Sequence, residues 1–251
     1  MNKIEIIRLT NKQDLVKLLI GAKFIGQGKT SRCFLLRNGL LLKIYKNSYT
    51  KKELFSRYSM QEHITYLSTL KNGSIIAPNI LFIYKEEVVA YITNYKKAKT
   101  LKYIDRQTQV VNLLKNLDIL MEDVFSLGRE HFILGDLHDK NILYNGYYYI
   151  IDLDFGYKAK KEEKLINYEN QNHIMQTLLY SLFNIKEWEQ PVMEHHEISS
   201  LFNQAIYKDY KMIYPFFETL QEILDKKELN VRDLKRTRLI TKEYNSYYKP
   251  L

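Results

Sequence analysis

Two glycines and a lysine near the start of the chain are of the residue types that bind phosphate. The glycines lie in the stretch GQGKTS, residues 26–31, and Lys43 follows in the apolar run LLLKIY. Glycine has no Cβ, so Gly26 and Gly28 would let the backbone approach a triphosphate closely. A lysine within an apolar strand is costly to bury unless anionic groups lie beside it, and a phosphate and a carboxylate both meet that need. The pattern therefore predicts an anion site at Lys43.

The neighbours of GQGKTS decide between two kinds of phosphate-binding loop. A P-loop requires a glycine at position 23, which is Lys23 here, and it opens a helix. Two apolar runs separated by Asn38-Gly39 follow instead, which indicates a β-hairpin with a two-residue type I′ turn. Such a turn sets Phe34 opposite Lys43 and puts Tyr45 on the same face as the lysine. The glycines are then predicted to lie between two antiparallel strands.

A helix is predicted after this hairpin, in the segment NSYTKKELFSRYSMQEHITYLSTL. Thr50 and Glu53 form a capping box, and apolar residues recur at helical spacing after it. Glu62 lies on the side of this helix that carries tyrosines, so it is the predicted carboxylate partner of Lys43. Glu53 is the rival partner, but its capping position explains it without a role at a site.

A second group of side chains that could do chemistry lies in HFILGDLHDKNILYNGYYYIIDLDFG, residues 131–156, after a helix predicted at about residues 105–127. The segments GDLHDKNIL and IIDLDFG resemble the catalytic loop and the metal-binding motif of the protein-kinase-like superfamily. That superfamily includes protein kinases, aminoglycoside phosphotransferases, choline kinases and lipopolysaccharide-core sugar kinases. The resemblance extends over about residues 20–185. Within that span the glycine loop, lysine, helix glutamate, catalytic loop and metal-binding aspartate follow the family's order.

The resemblance implies phosphoryl transfer from ATP with Mg²⁺, in which a protein mainly positions groups and neutralises charge. Asp136 would accept or orient the proton of the attacking hydroxyl. Asn141 would bind Mg²⁺ through its amide oxygen, and an aspartate on the following strand would bridge the metal to the phosphates. Lys43 completes the predicted catalytic set.

Two aspartates compete for the role of metal ligand. Asp154 lies in DFG, the spelling of protein kinases, and Asp152 lies in IIDL, the spelling of the sugar and choline kinases. A two-residue turn at Asn145-Gly146 would pair Tyr144 with Tyr147 and set Asp152 opposite Asp139. That register favours Asp152, and Asp154 is kept as the second metal ligand.

The resemblance also implies a nucleotide site. Leu41 and Cys33 would line the apolar ceiling over adenine, and the backbone of Thr93 to Tyr95 would offer hydrogen bonds. The predicted cofactor-binding residues are Gly26, Gly28, Ser31, Cys33, Leu41, Lys43, Glu62, Thr93 and Tyr95.

The sequence departs from the protein-kinase pattern in the catalytic loop and after it. Leu134 stands where the family commonly has His or Tyr, and His138 matches the small-molecule kinases, where we expect it to brace the loop. About fifteen residues separate Gly156 from a helix predicted from about Asn172. The chain therefore has no APE-like motif and no room for the long segment on which peptide substrates dock.

We expect an α+β, bilobal protein-kinase-like fold with ATP between the lobes. Residues 1–95 would form an N-terminal lobe, with a five-stranded antiparallel sheet and one main helix. Residues 96–251 would form a mostly helical C-terminal lobe. A hinge is predicted near residues 93–97, and Trp188 and Phe216-Phe217 are predicted as core.

The predicted function is ATP- and Mg²⁺-dependent transfer of the γ-phosphate to a hydroxyl. The glycine loop and the lysine strand favour a protein Ser/Thr acceptor. The segments DLHDKN and IIDL, together with the missing peptide platform, favour a small-molecule acceptor such as a sugar, an aminoglycoside or a choline-like compound. A nucleotide-binding pseudokinase is the second alternative, against which the retained catalytic set argues. A nucleic-acid-binding module would suit the charge, but no recognition motif supports it.

Composition sets the remaining expectations. The 251-residue chain carries 38 Lys and Arg against 29 Asp and Glu, a formal charge of +9 that favours anionic partners or reflects a lysine-rich surface. Cys33 is the single cysteine, which makes a reducing cytoplasm the default location. The sequence has no signal-peptide core and no apolar run long enough to span a membrane.

Overall fold

The computed structural model describes residues 4–46, 59–186 and 188–244, and the chain forms two compact units. The first unit comprises Met1–Lys97 together with Ile151–Phe155, and the second comprises Ala98–Ile150 and Gly156–Leu251. The α+β class predicted from the sequence is confirmed, because sheets and helices are both present.

The first unit is built on one six-stranded sheet with the strand order β1-β5-β6-β4-β3-β2. Its strands are β1 (Glu5–Arg8), β2 (Lys23–Gln27), β3 (Ser31–Leu35), β4 (Leu40–Tyr45), β5 (Pro78–Tyr84) and β6 (Glu87–Asn94). Its helices are α1 (Gln13–Leu18) and α2 (Met60–Leu67), and short 3₁₀ turns follow at Ser68–Leu70 and Leu153–Phe155. The predicted five-stranded antiparallel sheet is therefore wrong in strand count and in direction, because β1 adds a sixth strand parallel to β5.

Strand β1 was not predicted from the sequence, and the reason is physical. Glu5 pairs with Ile80, so the partner strand lies far along the chain and no turn motif joins the two. Parallel strands need a long crossover connection, which has no short sequence signal. Antiparallel hairpins can be predicted when their turns contain residues such as Asn-Gly.

The β2–β3–β4 strands confirm the hairpin predicted around Asn38-Gly39, but the register differs by one residue. Leu36 N donates to Leu40 O, and Gly39 has a left-handed φ of +79°, so three residues form the loop instead of two. A type I turn closed by a left-handed glycine is the usual geometry of such a loop. Cys33, rather than Phe34, therefore lies opposite Lys43.

One face of this sheet is the apolar core of the first unit. Leu42 of β4 is fully buried in this core. Helix α1 contributes Leu15 to the same cluster. Because side chains alternate along a strand, burying Leu42 on this face turns Lys43 to the opposite face.

The second unit is mostly helical. Its helices are α3 (Val110–Leu114), α4 (Leu117–Arg129), α5 (Glu163–Leu182), α6 (His196–Tyr207), α7 (Ile213–Ile223) and α8 (Val231–Arg236). Its strands are β7 (Lys99–Thr100), β8 (Phe132–Ile133), β9 (Ile142–Tyr144), β10 (Tyr148–Ile150), β11 (Tyr157–Lys158), β12 (Glu189–Val192) and β13 (Thr241–Tyr244). They form the groups β10-β9-β7, β11-β8 and β12-β13.

Apolar spacing explains the central helices of this unit. In α4 the buried residues recur at helical spacing and include Leu117, Leu120 and Val124. Two helices replace the single one predicted at about residues 105–127, and Asn116 at the break donates from its side chain to Gly146 O. Helix α5 begins well before the predicted start at Asn172, so the segment after Gly156 is even shorter than expected.

Two of the three predicted core residues are buried and the third is exposed. Phe216 and Phe217 are buried and their rings pack against Phe183, as expected. Trp188 is 42% exposed, so the core prediction was wrong for this residue. Among the helices of the described residues, none combines the length and the apolar character needed to span a membrane.

Candidate functional site

The face of the first unit's sheet opposite its apolar core carries most of the predicted nucleotide-site residues. Lys43 lies in the sheet with Cys33 opposite it on β3 and Tyr91 opposite it on β6. Directly paired residues of neighbouring strands project to the same face of a sheet. The same rule places Gly26 with Cys33, Ser31 with Tyr45, and Leu41 with Thr93. The residues on this face are Gly26, Ser31, Cys33, Leu41, Lys43, Tyr45, Tyr91 and Thr93.

Lys43 is buried and pairs with two carboxylates of the segment Ile151–Phe155. Its Nζ donates to Asp152 Oδ1 over 2.5 Å and to Asp154 Oδ2 over 2.8 Å. Lys43 is 4% exposed, so burying its charge would be strongly unfavourable without these two partners. The sequence predicted that Lys43 needs an anionic partner, and the aspartates supply it.

Asp154 is held by a ring of donors. Tyr45 Oη donates to its Oδ2 over 2.7 Å, and Tyr91 Oη donates to its Oδ1 over 3.2 Å. His63 Nε2 lies 3.0 Å from the backbone carbonyl of Asp154, so this nitrogen carries the proton and donates. With Lys43 added, both carboxylate oxygens and the carbonyl of Asp154 accept hydrogen bonds.

The pKa shifts follow from burial and from this pairing. Burial alone would lower the pKa of Lys43, but the charges of Asp154 and Asp152 outweigh it and hold the pKa well above its usual value. Burial would raise the pKa of Asp154, and Lys43 with the tyrosine hydroxyls reverses this to a lowered pKa. The pKa of Tyr45 is raised by burial and by the charge of Asp154. Lys43 and Asp154 are therefore a buried ion pair at neutral pH.

Asp152 differs from Asp154 in exposure and in backbone conformation. Its side chain is 36% exposed, against 4% for Asp154, and the bond to Lys43 occupies only its Oδ1. Its φ of +60° is a left-handed conformation that costs a non-glycine residue about 1–3 kcal/mol and often marks a functional position. Asp152 is thus the carboxylate with an oxygen open to a cation.

The register argument that favoured Asp152 does not hold. Tyr144 pairs with Tyr148, because Asn145, Gly146 and Tyr147 form a three-residue loop in place of the predicted two-residue turn. Strand β10 then ends at Ile150, so Asp152 has no position in the ladder and does not lie opposite Asp139. Exposure, and not register, separates the two aspartates.

Glu62 is placed differently from the prediction. It is the third residue of α2 and forms a capping box with Ser59, accepting from Ser59 N over 3.0 Å and from Ser59 Oγ over 2.8 Å. These bonds lower the pKa of Glu62, whose side chain is exposed. Lys43 is paired with Asp152 and Asp154 in its place. The capping box predicted at Thr50 and Glu53 lies outside the described residues.

The fold itself does not require glycine at positions 26 and 28. A Cβ built on Gly26 or Gly28 would meet no protein atom within 4 Å, and neither residue has a left-handed φ. The loop between them and β3 is closed by Gly28 N, which donates to Ser31 O, and by Lys46 Nζ, which donates to Gly28 O. No atom of the described residues therefore fills the space next to the two glycines, as a phosphate-binding loop requires.

The remaining nucleotide-site predictions concern the end of β6. Thr93 is buried and its Oγ1 donates to Ala77 O over 2.8 Å, so its side chain has a structural partner. Tyr95 follows the strand and is half-buried. Cys33 is partly buried, and burial raises the pKa of its thiol, which suits a packing residue better than a nucleophile.

In the second unit, the predicted catalytic loop is a tight turn between β8 and β9. Asn141 N donates to His138 O over 2.8 Å, and Asn141 Nδ2 donates to Asp136 O over 3.0 Å. His138 Nδ1 accepts from Lys140 N over 3.2 Å, which is the bracing role expected for this histidine. Asp136 is exposed and has a left-handed φ of +43°. The amide of Asn141 is oriented so that its oxygen is the side-chain atom left for a cation.

One face of α5 fixes this loop, a role that the sequence interpretation missed. Asn170 donates to Phe132 O and accepts from Leu134 N, both over 2.9 Å. His173 Nδ1 lies 2.9 Å from Leu134 O, and Thr177 Oγ1 donates to Leu137 O over 3.3 Å.

These three polar residues recur at spacings of three and four, so they form one stripe along the helix. That stripe is interleaved with the apolar residues of α5 and was the available signal in the sequence. Asn170 is fully buried, so losing either of its two hydrogen bonds would leave a buried polar group unsatisfied and destabilise the fold.

Asp136 lies in the wall of a cleft of about 1200 Å³ within the second unit. The loop 136–140, the C-terminal half of α5, the segment around Trp188 and the face of α8 surround it. Seven cationic side chains and two carboxylates line the cleft. The cations are Lys102, Arg106, Lys140, Lys186, Arg232, Lys235 and Arg236, and the carboxylates are Asp136 and Asp139.

The candidate metal ligands in the two units are oxygen atoms. Within residues 4–46, 59–186 and 188–244, no group of three or more His, Cys, Asp or Glu side chains could hold a metal ion. The exposed carboxylate of Asp152 in the first unit is an oxygen donor of the kind that Mg²⁺ prefers, and the oriented amide oxygen of Asn141 in the second unit is another.

Comparison with known proteins adds no assignment. No protein-family model matches the chain, and no curated protein matches it.

Proposed function

We propose that the protein is an ATP- and Mg²⁺-dependent phosphotransferase that transfers the γ-phosphate to a hydroxyl. One observation carries the proposal. A buried lysine lies on the sheet face that also carries Gly26, and it is held by two aspartates of the DLDFG segment. A lysine kept cationic beside glycines that packing does not require suits phosphate binding better than it suits a structural role.

The residues have distinct proposed roles. Lys43 attracts and orients nucleotide phosphates, and Asp154 keeps Lys43 charged and in place. Asp152 would hold Mg²⁺ through its exposed carboxylate, and Asn141 stays a predicted magnesium ligand. When bound, the metal would neutralise phosphate charge. Asp136 orients the acceptor hydroxyl and receives its proton at the carboxylate.

The acceptor side favours a small molecule over a protein. Asp136 lies in a cleft walled by helices, and α5 begins at Glu163, which leaves a very short segment after Gly156. A protein Ser/Thr acceptor would need an open platform for an extended peptide. The protein acceptor, which the glycine loop first suggested, stays a prediction with less support.

Nucleotide binding by aspartate variants tests the proposal. We expect Asp152→Asn to lose Mg²⁺-dependent ATP binding in isothermal titration, because it removes the exposed ligand oxygen. Asp139→Asn is the matched control, since it removes a carboxylate next to Asp136 but outside the proposed metal set. If Asp152→Asn binds Mg·ATP as the wild type does, Asp152 is not the metal ligand. If wild type binds no Mg·ATP at all, the proposed function is wrong.

A further inference from the structure

The cleft beside Asp136 has an uncompensated positive charge. Seven cations face two carboxylates, whereas the buried cluster of the first unit balances its lysine with two aspartates. The strongest concentration lies at one end, where Arg106 meets three residues of α8, Arg232, Lys235 and Arg236.

The fold holds these four residues in place. Arg232, Lys235 and Arg236 have helical spacings of three and four, so they share one face of α8. Asn230 and Asp233 form a capping box that fixes the start of this helix. Arg232 N donates to Arg106 O over 2.9 Å, which ties the segment carrying Arg106 to the same helix.

Within the part of the chain that the structure describes, their charges are not neutralised by ion pairs. Among the described residues, no carboxylate lies within ion-pair distance of Arg106, Arg232, Lys235 or Arg236. Burial and the nearby charge of Arg106 lower the pKa of Lys235, and Asp139 only partly opposes them. Like charges brought together without a counter-ion are the usual preparation for an anionic ligand.

We propose that this cleft binds the phosphate group of a small phosphorylated acceptor that presents a free hydroxyl to Asp136. The inference rests on the proposed phosphotransferase function and names its acceptor class. In the reaction, the acceptor oxygen forms a bond to the γ-phosphorus and the bond to the bridging oxygen of ADP breaks. The hydroxyl proton passes to Asp136 and then to solvent.

The residue types favour phosphate over other anions. Three of the four cations are arginines, whose planar guanidinium donates two parallel hydrogen bonds to a phosphate. A single carboxylate would leave most of this charge unbalanced. The helical walls of the cleft favour a small compound over a folded or polymeric partner.

Binding of sugar phosphates without turnover tests the inference. The probes are glucose 6-phosphate and ribose 5-phosphate, each titrated against its parent sugar at constant ionic strength, with Mg·ADP present. The cleft variant is Arg232→Gln/Lys235→Gln. The control is Lys208→Gln/Lys211→Gln, which removes the same charge from exposed positions of the second unit outside the cleft.

We expect a sugar phosphate to bind at least about tenfold more tightly than its parent sugar, because charged hydrogen bonds of this kind are each worth about a factor of ten. The cleft variant should weaken that binding about tenfold or more, and the control should leave it within about twofold. Equal weakening in both variants, or no binding by either sugar phosphate, would overturn the inference. Preferential binding of a single-stranded oligonucleotide would also overturn it, in favour of nucleic acid.

Label transfer from γ-labelled ATP separates this inference from the proposed function. If label moves to a neutral acceptor equally well in wild type and in the cleft variant, the phosphotransferase stands and the anionic acceptor is wrong. If sugar phosphates bind the cleft but no label moves from ATP to any acceptor, the anion site stands and the phosphotransferase is wrong.

Discussion

The buried cluster of the first unit and the cationic cleft of the second treat charge in opposite ways. In the cluster, Lys43 is enclosed by Asp152, Asp154 and two tyrosine hydroxyls, so the protein supplies every partner. In the cleft, the three arginines are exposed and Lys235 is half-buried, and none of these cations has a carboxylate within ion-pair distance among the described residues. The difference teaches that the charge of Lys43 is paired within the first unit, whereas the cleft cations are the group for which we have proposed an external anionic partner.

Removing Asp154 should have the largest effect on stability. Asp154→Asn leaves Lys43 with one partner and weakens the hydrogen bonds of Tyr45 and Tyr91. We expect a loss of about 3 kcal/mol in the free energy of unfolding, measured by urea denaturation, since breaking a buried ion pair costs about 3–5 kcal/mol. The control is Asp14→Asn, which breaks an exposed ion pair with Lys17 and should change stability little. Equal stability of the two variants would contradict the balanced cluster.

His63 should make the cluster sensitive to mild acid. Burial lowers the pKa of His63 below its usual 6.5, and its hydrogen bond to Asp154 only partly opposes this. A lowered folded pKa means that the unfolded state takes up the proton first as the pH falls. The stability contributed by neutral His63 is thus complete above pH 6.5 and declines below it.

Unfolding measurements between about pH 7.5 and about pH 5.5, one unit on either side of the usual histidine pKa, check this prediction. His63→Gln should flatten the decline, and the total change should be smaller than that of Asp154→Asn. Exposed His196, which begins α6, provides the control variant His196→Gln. A decline that is the same in all three proteins would assign the pH dependence to other groups.

Removing a cleft cation should have the smallest effect, and in the opposite direction. Lys235→Gln relieves repulsion from Arg106, so we expect stability without ligand to stay within about 0.5 kcal/mol or to rise slightly. Urea denaturation of the wild type and Lys235→Gln measures this change in the free energy of unfolding, and Lys208→Gln is the control variant. A loss as large as that of Asp154→Asn would mean that the cleft charge is balanced within the protein after all.

Local sequence patterns predicted which residues lie at the candidate site better than they predicted which side chains pair with one another. The alternation around Lys43 correctly put this lysine and Tyr45 on one face, because strand periodicity is a local property. Its carboxylate partner was assigned to Glu62 by helix geometry, yet a capping bond to Ser59 competes for that side chain. Which of several carboxylates reaches a buried lysine depends on tertiary packing that spacing alone does not encode.

The turns show the same limit. Both Asn-Gly pairs were predicted as two-residue turns, but each lies in a three-residue loop, with Gly39 and Gly146 at positive φ. The two-residue turn of the sheet is formed by Lys85 and Glu86, both at positive φ and without a glycine signal. A one-residue change of loop length shifts the register, which is why the pairing of Asp152 was predicted incorrectly.

Features that join distant segments were the hardest to predict. The β1 strand pairs far along the chain, the Asn170 side chain of α5 binds the backbone ahead of the predicted catalytic loop, and the cleft cations come from four separate segments. Of these features, only the polar stripe of α5 is visible within a contiguous window, and that stripe does not show which segment it contacts. The charge total of +9 indicated an anionic partner but not where it binds.

Transfer of label from γ-labelled ATP, compared between wild type and Asp136→Asn, tests the central claim most directly. The account predicts that Asp136→Asn binds Mg·ATP like the wild type but transfers label to an acceptor from a metabolite extract at least about a hundredfold more slowly, since Asp136 serves the hydroxyl and not the nucleotide. Equal transfer by the two proteins, or binding of Mg·ATP by wild type without transfer to any acceptor, would contradict it.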